Sequence, residues 1–354
     1  MSQPFIATFG FPVLSDISWV RSVHLHDASG SSGKGHLFKV WLKGEISGIS
    51  YAYPSGRSIM ESKSIYPHKV LPYLLLAPSF VIIGYFLFYP TFETFRLSLF
   101  RLGPFGIRKL YVKFGNFIDL FTSADYLQSF KISFLFSFSV VVFGLGVSLA
   151  IAVLVNRKIR GINFYRAALI WPYALSPAIA GALWVFLFDS SAGYLNYFIS
   201  VLFDVKPKWL TSGSLALVVV TAAATWKNLG YNIILFLAGL QNIPDDIKEA
   251  ARIDGASPFQ VFWKITFPLL SPMTFFLLVM NLIYSYFGSF GLIHVMTEGG
   301  PANSTNILIY DLYRQAFINH NAGLAAAESM ILFALVVILT GLQFGTSGRG
   351  VHYQ

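Results

Sequence analysis

Residues 249–270 read EAARIDGASPFQVFWKITFPLL, and they differ from the apolar chain on either side of them. Four charged residues, two prolines and one glycine fall within this stretch, after which the apolar sequence resumes. Glycine and proline are the residues that most often mark turns. The pattern predicts a polar segment with a turn, inserted between two long apolar segments.

The composition indicates an integral membrane protein. The chain has 354 residues, of which 55% are hydrophobic and 12% are charged, whereas soluble domains carry about 25% charged residues. There is no cysteine, which excludes disulfides, thiol nucleophiles and thiolate metal sites. The net charge of +9 suits positively charged loops at a membrane. Aromatic and apolar residues separate the basic ones, so nucleic acid is not an expected partner.

Six apolar stretches are long enough to cross a bilayer as helices, which takes about 20 residues. They are residues 70–92, 132–156, 167–188, 209–244, 269–296 and 323–344. Backbone groups in lipid must bond internally, and the alternating pattern of a barrel strand is missing. The sequence therefore predicts an all-α integral membrane protein with six transmembrane helices.

The distribution of basic residues bears on orientation. With six spans, both termini share one side with the loops 156–166 and 241–268, and that side carries fifteen Lys and Arg residues against nine on the other. The positive-inside rule then places both termini in the cytoplasm. Without the N-terminal tail the count is eight against nine, so the spans and their loops leave orientation open.

Residues 1–59 differ in composition from the rest of the chain. They are rich in Gly, Ser and scattered charge, have no sustained helical period, and lack the features of a signal peptide. Two interpretations remain: a disordered cytoplasmic extension, or sequence upstream of a true start at Met60. In both, residues 60–354 form the transmembrane domain.

The segment 244–268 is predicted to form two short helices joined by a turn. Pro244 suits a first helical turn, and the two aspartates after it favour the positive end of the helix dipole. Gly255 is placed to end the first helix in the left-handed conformation. Ser257 can cap the second helix, with Pro258 at its first position.

This segment resembles the EAA loop of bacterial ABC importer permeases. The residues that carry the resemblance are Glu249, Ala250, Ala251, Gly255, Ile265 and Pro268. The chain departs from the pattern at Phe267, where leucine is usual. The resemblance implies that the segment is cytoplasmic and docks in a cleft of a partner ATPase, with these six residues as its coupling positions.

Three further stretches are similar to the carbohydrate-uptake group of these permeases: residues 171–196, residues 298–317 and the closing VHYQ. Over residues 60–354 the similarity is strongest to permeases for sn-glycerol-3-phosphate, with another sugar or polyol as the alternative cargo.

This resemblance implies a type I importer permease fold in the bacterial inner membrane, with both termini cytoplasmic. It also implies three partners: a second related permease, an ATPase homodimer that uses ATP and Mg, and a periplasmic substrate-binding protein. The chain itself would bind no cofactor and hydrolyse no ATP.

Five polar residues deep in the fourth and fifth spans are candidates for contact with cargo in the translocation pathway. They are Lys227, Asn228, Asn232, Asn281 and Tyr284. A lysine at the centre of a membrane costs about 2.5–3.5 kcal/mol on insertion scales, which makes Lys227 a candidate phosphate contact. Its alternative role is a structural bond to carbonyl groups or to the second permease. The asparagines and the tyrosine could hydrogen-bond a glycerol backbone, but the role that the sequence favours for each of them is a bond between neighbouring helices.

Two features lie near the outer ends of the spans. Gly299, Gly300 and Pro301 form a predicted turn, which the family resemblance makes a candidate contact for the binding protein. Glu328 is placed near the outer end of the sixth span, where water is expected to solvate it.

Two other classes of protein are less compatible with the sequence. An enzyme is disfavoured because the histidines show no metal-ligand spacing and no Gly-x-Ser-x-Gly motif occurs, so no metal site is expected. An ion-coupled secondary transporter would be expected to carry carboxylates deep in its spans, and the sequence places none there.

Overall fold

The computed structural model describes residues 70–103, 109–157 and 161–347. The expectations for residues 1–59, for Met60 as the start and for the C-terminal residues VHYQ fall outside the described residues. The helices are α1 Leu71–Ile83, α2 Tyr89–Ser98, α3 Gly115–Thr122, α4 Ala124–Val155, α5 Ile162–Ala174, α6 Pro177–Phe188, α7 Tyr194–Phe203, α8 Gly213–Gln241, α9 Asp245–Ile253, α10 Pro258–Val261, α11 Phe267–Leu269, α12 Ser271–Ile283, α13 Phe290–Met296, α14 Leu308–Tyr313 and α15 Ala322–Ser347.

Short π-helical segments continue several of these helices, at Gly84–Phe88, Phe262–Thr266, Tyr284–Gly288 and Arg314–Ile318. The strands β1 Phe100–Leu102 and β2 Lys109–Tyr111 pair antiparallel, with Arg101 opposite Leu110. The described chain is therefore almost wholly helical.

Within the described residues, four helical stretches are long and apolar enough to cross a membrane: Leu71–Ser98, Ala124–Val155, Ser271–Gly288 and Ala322–Gly345. They correspond to the first, second, fifth and sixth predicted spans. The fourth predicted span corresponds to α8, which has 29 residues and is less apolar because it carries Lys227 and several other polar side chains.

The third predicted span is not one helix, and the prediction of a continuous span over residues 167–188 is wrong. The α5 and α6 helices meet at a bend of 103°. Ser176 caps α6, since its Oγ accepts a hydrogen bond from the Ile179 amide at 3.3 Å, and Pro177 takes the first helical position. A proline cannot donate the hydrogen bond that would continue α5, so the chain starts a new helix.

The centre of the fold is the pair α4 and α8. Towards one end, Phe136 of α4 and Val220 of α8 pack against Ile293 of α13 in one buried cluster. Towards the other end, Phe236 of α8 and Leu277 of α12 belong to a second buried cluster. In contrast, α1 has no buried residue. The apolar surface of α1 is therefore free to meet lipid or another subunit.

Close backbone approach holds α5 against α8. A Cβ atom added to Gly230 would lie 2.8 Å from the carbonyl oxygen of Ile170 and 2.9 Å from its Cα. A larger residue at position 230 would therefore push the two helices apart. This contact fixes the position of α5 next to the part of α8 that carries the polar candidates.

Candidate functional site

The segment 244–268 folds as two capped helices, as the sequence predicts. Gly255 has φ of +83°. The Gly255 amide donates to the Arg252 carbonyl at 3.1 Å, and the Ala256 amide donates to the Ala251 carbonyl at 3.0 Å. These are the two hydrogen bonds of a Schellman motif, in which a glycine takes the left-handed conformation without steric cost.

The second helix of the segment begins at a complete capping box. Ser257 Oγ accepts from the Gln260 amide at 3.3 Å, and Gln260 Oε1 accepts from the Ser257 amide at 2.8 Å. On the first helix, Lys248 Nζ lies 3.0 Å from Asp245 Oδ1. These local bonds give the turn a defined geometry before any partner binds.

The outer surface of this segment carries large apolar side chains that this chain does not cover. They are Ile247, Ile253, Phe259 and Trp263, with exposed fractions between 40% and 87%. Glu249, Ala250 and Gly255 are exposed beside them, while Ala251, Ile265 and Pro268 are half-buried. Exposed apolar side chains among charged residues are typical of a protein interface.

Three of the five predicted pathway residues bond to one another. Asn281 Oδ1 accepts from Asn228 Nδ2 at 2.8 Å and from Asn232 Nδ2 at 3.0 Å. Asn281 Nδ2 donates to Asn232 Oδ1 at 2.7 Å and to the Leu277 carbonyl at 2.8 Å. All three side chains are at least 95% buried. Of the two roles that the sequence left open, this geometry favours a structural bond between α8 and α12.

The fourth candidate, Tyr284, also has a partner within the fold. Its hydroxyl donates to the Ala224 carbonyl at 3.3 Å. This bond joins the helical segment after α12 to α8, at a level closer to the start of α8 than the asparagines. Like the three asparagines, Tyr284 can therefore serve as a hydrogen-bonded link between helices.

We expect Asn281→Leu to destabilise the fold, because it removes four hydrogen bonds while keeping a similar volume. Hydrogen bonds between transmembrane helices contribute about 0.6 kcal/mol each, and the partners left behind are buried. The free energy of unfolding should fall by about 2–3 kcal/mol. Thermal unfolding of the purified complex measures this, with Phe276→Leu at an exposed position of the same helix as the control. An unchanged midpoint together with lost uptake would instead support direct contact with cargo.

Lys227 differs from the other candidates. Its side chain is 6% exposed, and its Nζ lies 5.5 Å from the centre of the Tyr173 ring. Tyr173 in turn stacks on Tyr231 with ring centres 5.3 Å apart. Among the described residues, no ion pair includes Lys227. A cation over an aromatic face is stabilised by about 0.5–2 kcal/mol, and the ammonium group keeps capacity to bind an anion.

The turn at residues 298–301 is present, and Gly299 within it also packs closely against Tyr310. Gly299 has φ of +77°, and a Cβ atom added to it would lie 2.9 Å from the Tyr310 ring. Gly299 is buried, while Gly300 and Pro301 are half-buried. Contact of this turn with a binding protein stays a prediction, with Gly300 and Pro301 more accessible than Gly299.

The expectation that water solvates Glu328 is wrong. Its side chain is 2% exposed, and neither carboxylate oxygen has a hydrogen-bond partner among the described residues. Three alanines precede it, Ala325 to Ala327, and all are buried, so their small side chains let α15 approach its neighbours closely. That alanine run was the signal in the sequence for burial.

A second buried carboxylate, Asp311, lies in the same region and accepts from Asn306 Nδ2 at 3.1 Å. Burial raises the pKa of Asp311. Asp311 lies between the fifth and sixth predicted spans, and Glu328 lies in the second turn of α15. Both are buried within the protein rather than deep in a span, so the expectation that the spans carry no carboxylate at depth stays a prediction. Within the described ranges, no three His, Asp or Glu side chains are placed to hold a metal ion.

Comparison with known proteins gives consistent matches. Residues 143–345 match the family described as binding-protein-dependent transport system inner membrane component. The sn-glycerol-3-phosphate transport system permease protein UgpA of Rhizobium meliloti (strain 1021) is 44% identical over 290 residues, which are 82% of this chain and 98% of that protein. The protein of the same name from Escherichia coli O157:H7 is 40% identical over 293 residues, 83% of this chain and 99% of that protein.

A solved structure is similar as well. It is a bacterial alginate ABC transporter in complex with an alginate pentasaccharide-bound periplasmic protein. The matching chain superimposes with a TM-score of 0.70 at 21% identity, over 79% of this chain and 94% of that one. At this level of identity the likeness concerns the fold.

Proposed function

The chain belongs to the family of binding-protein-dependent transport system inner membrane components, and on that premise we propose that it forms half of the translocation pathway of an ATP-driven importer for sn-glycerol-3-phosphate. The other half would be a second, related permease. An ATPase homodimer would supply the energy, using ATP and Mg, and a periplasmic binding protein would deliver the cargo. The complex would lie in the inner membrane with both termini of this chain in the cytoplasm.

The observation that carries the proposal is the segment 244–268. It leaves α8, turns at Gly255 and enters α12, so it is continuous with two helices of the core. Its exposed apolar side chains, Ile253 and Phe259 foremost, provide a surface for a docked subunit. The chain needs such a surface because the energy for transport would come from another protein.

The choice of cargo rests on the named relatives and on Lys227. A phosphate monoester carries between one and two negative charges near neutral pH. Lys227 lies near the middle of α8 and has no ion pair among the described residues. A passing phosphate would neutralise this cation, whereas an uncharged sugar or polyol would not.

Uptake by the reconstituted complex tests the proposal. We expect proteoliposomes that hold both permeases and the ATPase to accumulate labelled sn-glycerol-3-phosphate only with ATP inside and the binding protein outside. Uncharged glycerol and an unrelated sugar should compete poorly. Accumulation driven by an ion gradient without ATP would contradict the importer, and preferred competition by another sugar or polyol would contradict the cargo.

A further inference from the structure

The α7 helix carries apolar side chains that the chain itself leaves uncovered. Its ten residues make a helix of about 15 Å, half of what a bilayer requires, so α7 cannot be a span. Its exposed large side chains are Tyr194, Tyr197, Phe198, Val201, Leu202 and Phe203, with exposed fractions between 58% and 71%. All of them except Phe203 lie on one face of the helix.

A buried asparagine holds α7 in this orientation. Asn196 is 4% exposed. Its Nδ2 donates to the Asp189 carbonyl at 3.2 Å and to the Pro207 carbonyl at 3.3 Å, and its Oδ1 accepts from Trp209 Nε1 at 2.7 Å. These bonds tie the helix to the segments before and after it, so its apolar face points outward in a fixed position.

The apolar face of α7 is continuous with that of the preceding apolar helix, α6. The Phe186 ring of α6 meets the Tyr194 ring of α7 with centres 5.6 Å apart, and Phe186 is itself 59% exposed. The α7 helix precedes α8, whereas the segment 244–268 follows it, so the two lie at opposite ends of that long helix. This places α7 at a membrane boundary, where tyrosine side chains meet the headgroup layer.

Beside α7 lies a recess of about 620 Å³. Ser190, Ser191 and Ser200 line it, together with Lys206, which is the one charged residue in its lining. The nearby Asp189 carboxylate accepts from the amides of Ser191 and Ala192 at 2.8 and 2.7 Å. An ammonium group among hydroxyl donors is suited to phosphate oxygens.

We propose that α7 lies in the headgroup layer on the side of the membrane opposite to segment 244–268, with its apolar face among acyl chains, and that the recess binds the headgroup of an anionic phospholipid. Lys206 provides the charge, and the hydroxyl groups of Ser190 and Ser191 provide hydrogen bonds; the Ser200 hydroxyl already donates to the Tyr197 carbonyl at 2.9 Å. Basic residues near a membrane surface attract the headgroups of anionic lipids. An amphipathic helix with this distribution of side chains lies in the interface rather than across it.

The absence of cysteine from the chain makes the position of α7 measurable. A single cysteine at Leu202, spin-labelled in the complete complex in phosphatidylcholine and phosphatidylglycerol vesicles, should collide with oxygen and be protected from an aqueous nickel reagent. The matched control is a label at Glu298, which is exposed on an outer turn and should show the reverse. If the Leu202 label were protected from both reagents, another protein surface would cover α7. If the label were accessible to the nickel reagent, α7 would face water. Either result would overturn the proposal.

The recess is tested by the lipid that remains bound to the purified complex. We expect Lys206→Gln to lower bound phosphatidylglycerol at least threefold, Lys206→Arg to keep it, and Lys208→Gln, outside the recess, to change it less. If Lys206→Gln retained as much phosphatidylglycerol as the wild type, the proposed headgroup site would be overturned. Displacement of the lipid by inorganic phosphate or by sn-glycerol-3-phosphate would also overturn it, in favour of a soluble ligand. Because bound lipid is measured separately from uptake, this outcome does not depend on the cargo.

Discussion

Replacement of Gly255 by valine is expected to release the ATPase from the purified complex and to abolish uptake, while the chain still inserts in the membrane. Gly255 has φ of +83°, and the left-handed conformation costs an ordinary L-residue about 1–2 kcal/mol. A β-branched side chain resists it more. Apart from the adjacent residues, no atom of the described residues lies within 4 Å of a Cβ added at position 255. The loss of function would therefore come from backbone strain at this position and from a clash with the partner surface.

Two matched variants separate these causes. Gly255→Asn should retain part of the uptake, because asparagine tolerates the left-handed conformation better than other residues. Glu249→Ala should weaken the association with the ATPase less than valine at position 255 does. Co-purification of the ATPase and uptake are measured together. If Gly255→Val kept both at the wild-type level, segment 244–268 would not be the coupling element.

The second large effect is expected at Lys227. Lys227→Met should reduce uptake of sn-glycerol-3-phosphate at least tenfold, because a hydrogen bond to a charged group contributes about 1.5–3 kcal/mol and 1.4 kcal/mol corresponds to a factor of ten. Lys227→Arg should retain more activity, since it keeps the charge over the Tyr173 ring. The measurements are initial uptake rates and the subunit content of the purified complex.

Two experimental results would contradict a role of Lys227 in binding the phosphate group. Wild-type uptake by Lys227→Met would exclude a phosphate contact. Loss of the second permease or of the ATPase from the complex would show that Lys227 holds the structure together instead. Tyr173→Phe provides a control. It removes only the hydroxyl group and keeps the aromatic ring, whose centre lies 5.5 Å from Lys227 Nζ.

The coupling segment could be predicted well because its structure is local. The positive φ at Gly255 and the cap at Ser257 depend on residues within four positions of each other, and the structure confirms both. The bend between α5 and α6 was equally local, and the Ser176–Pro177 pair signals it. Apolar composition alone predicts one span there, because it does not register this helix-start signal.

The contacts of the buried polar residues could not be predicted in the same way. Lys227 meets Tyr173, which lies 54 positions earlier, and Asn281 meets Asn228, which lies 53 positions earlier. Sequence reasoning identified these residues as unusual, since each is polar within an apolar stretch. Which of them bond to one another depends on the register between helices.

The three asparagines have a mechanical consequence for the proposed coupling. Asn228 and Asn232 belong to α8 and Asn281 belongs to α12, and their bonds join the helix that enters segment 244–268 to the helix that leaves it. Close to the segment, a Cβ atom added to Gly239 would lie 2.7 Å from Leu270 Cδ1, so the two helices also pack tightly there. Segment 244–268 is thus connected at each end to one of two helices that are bonded to each other. A force applied at Gly255 would therefore rotate α8 and α12 together instead of separating them.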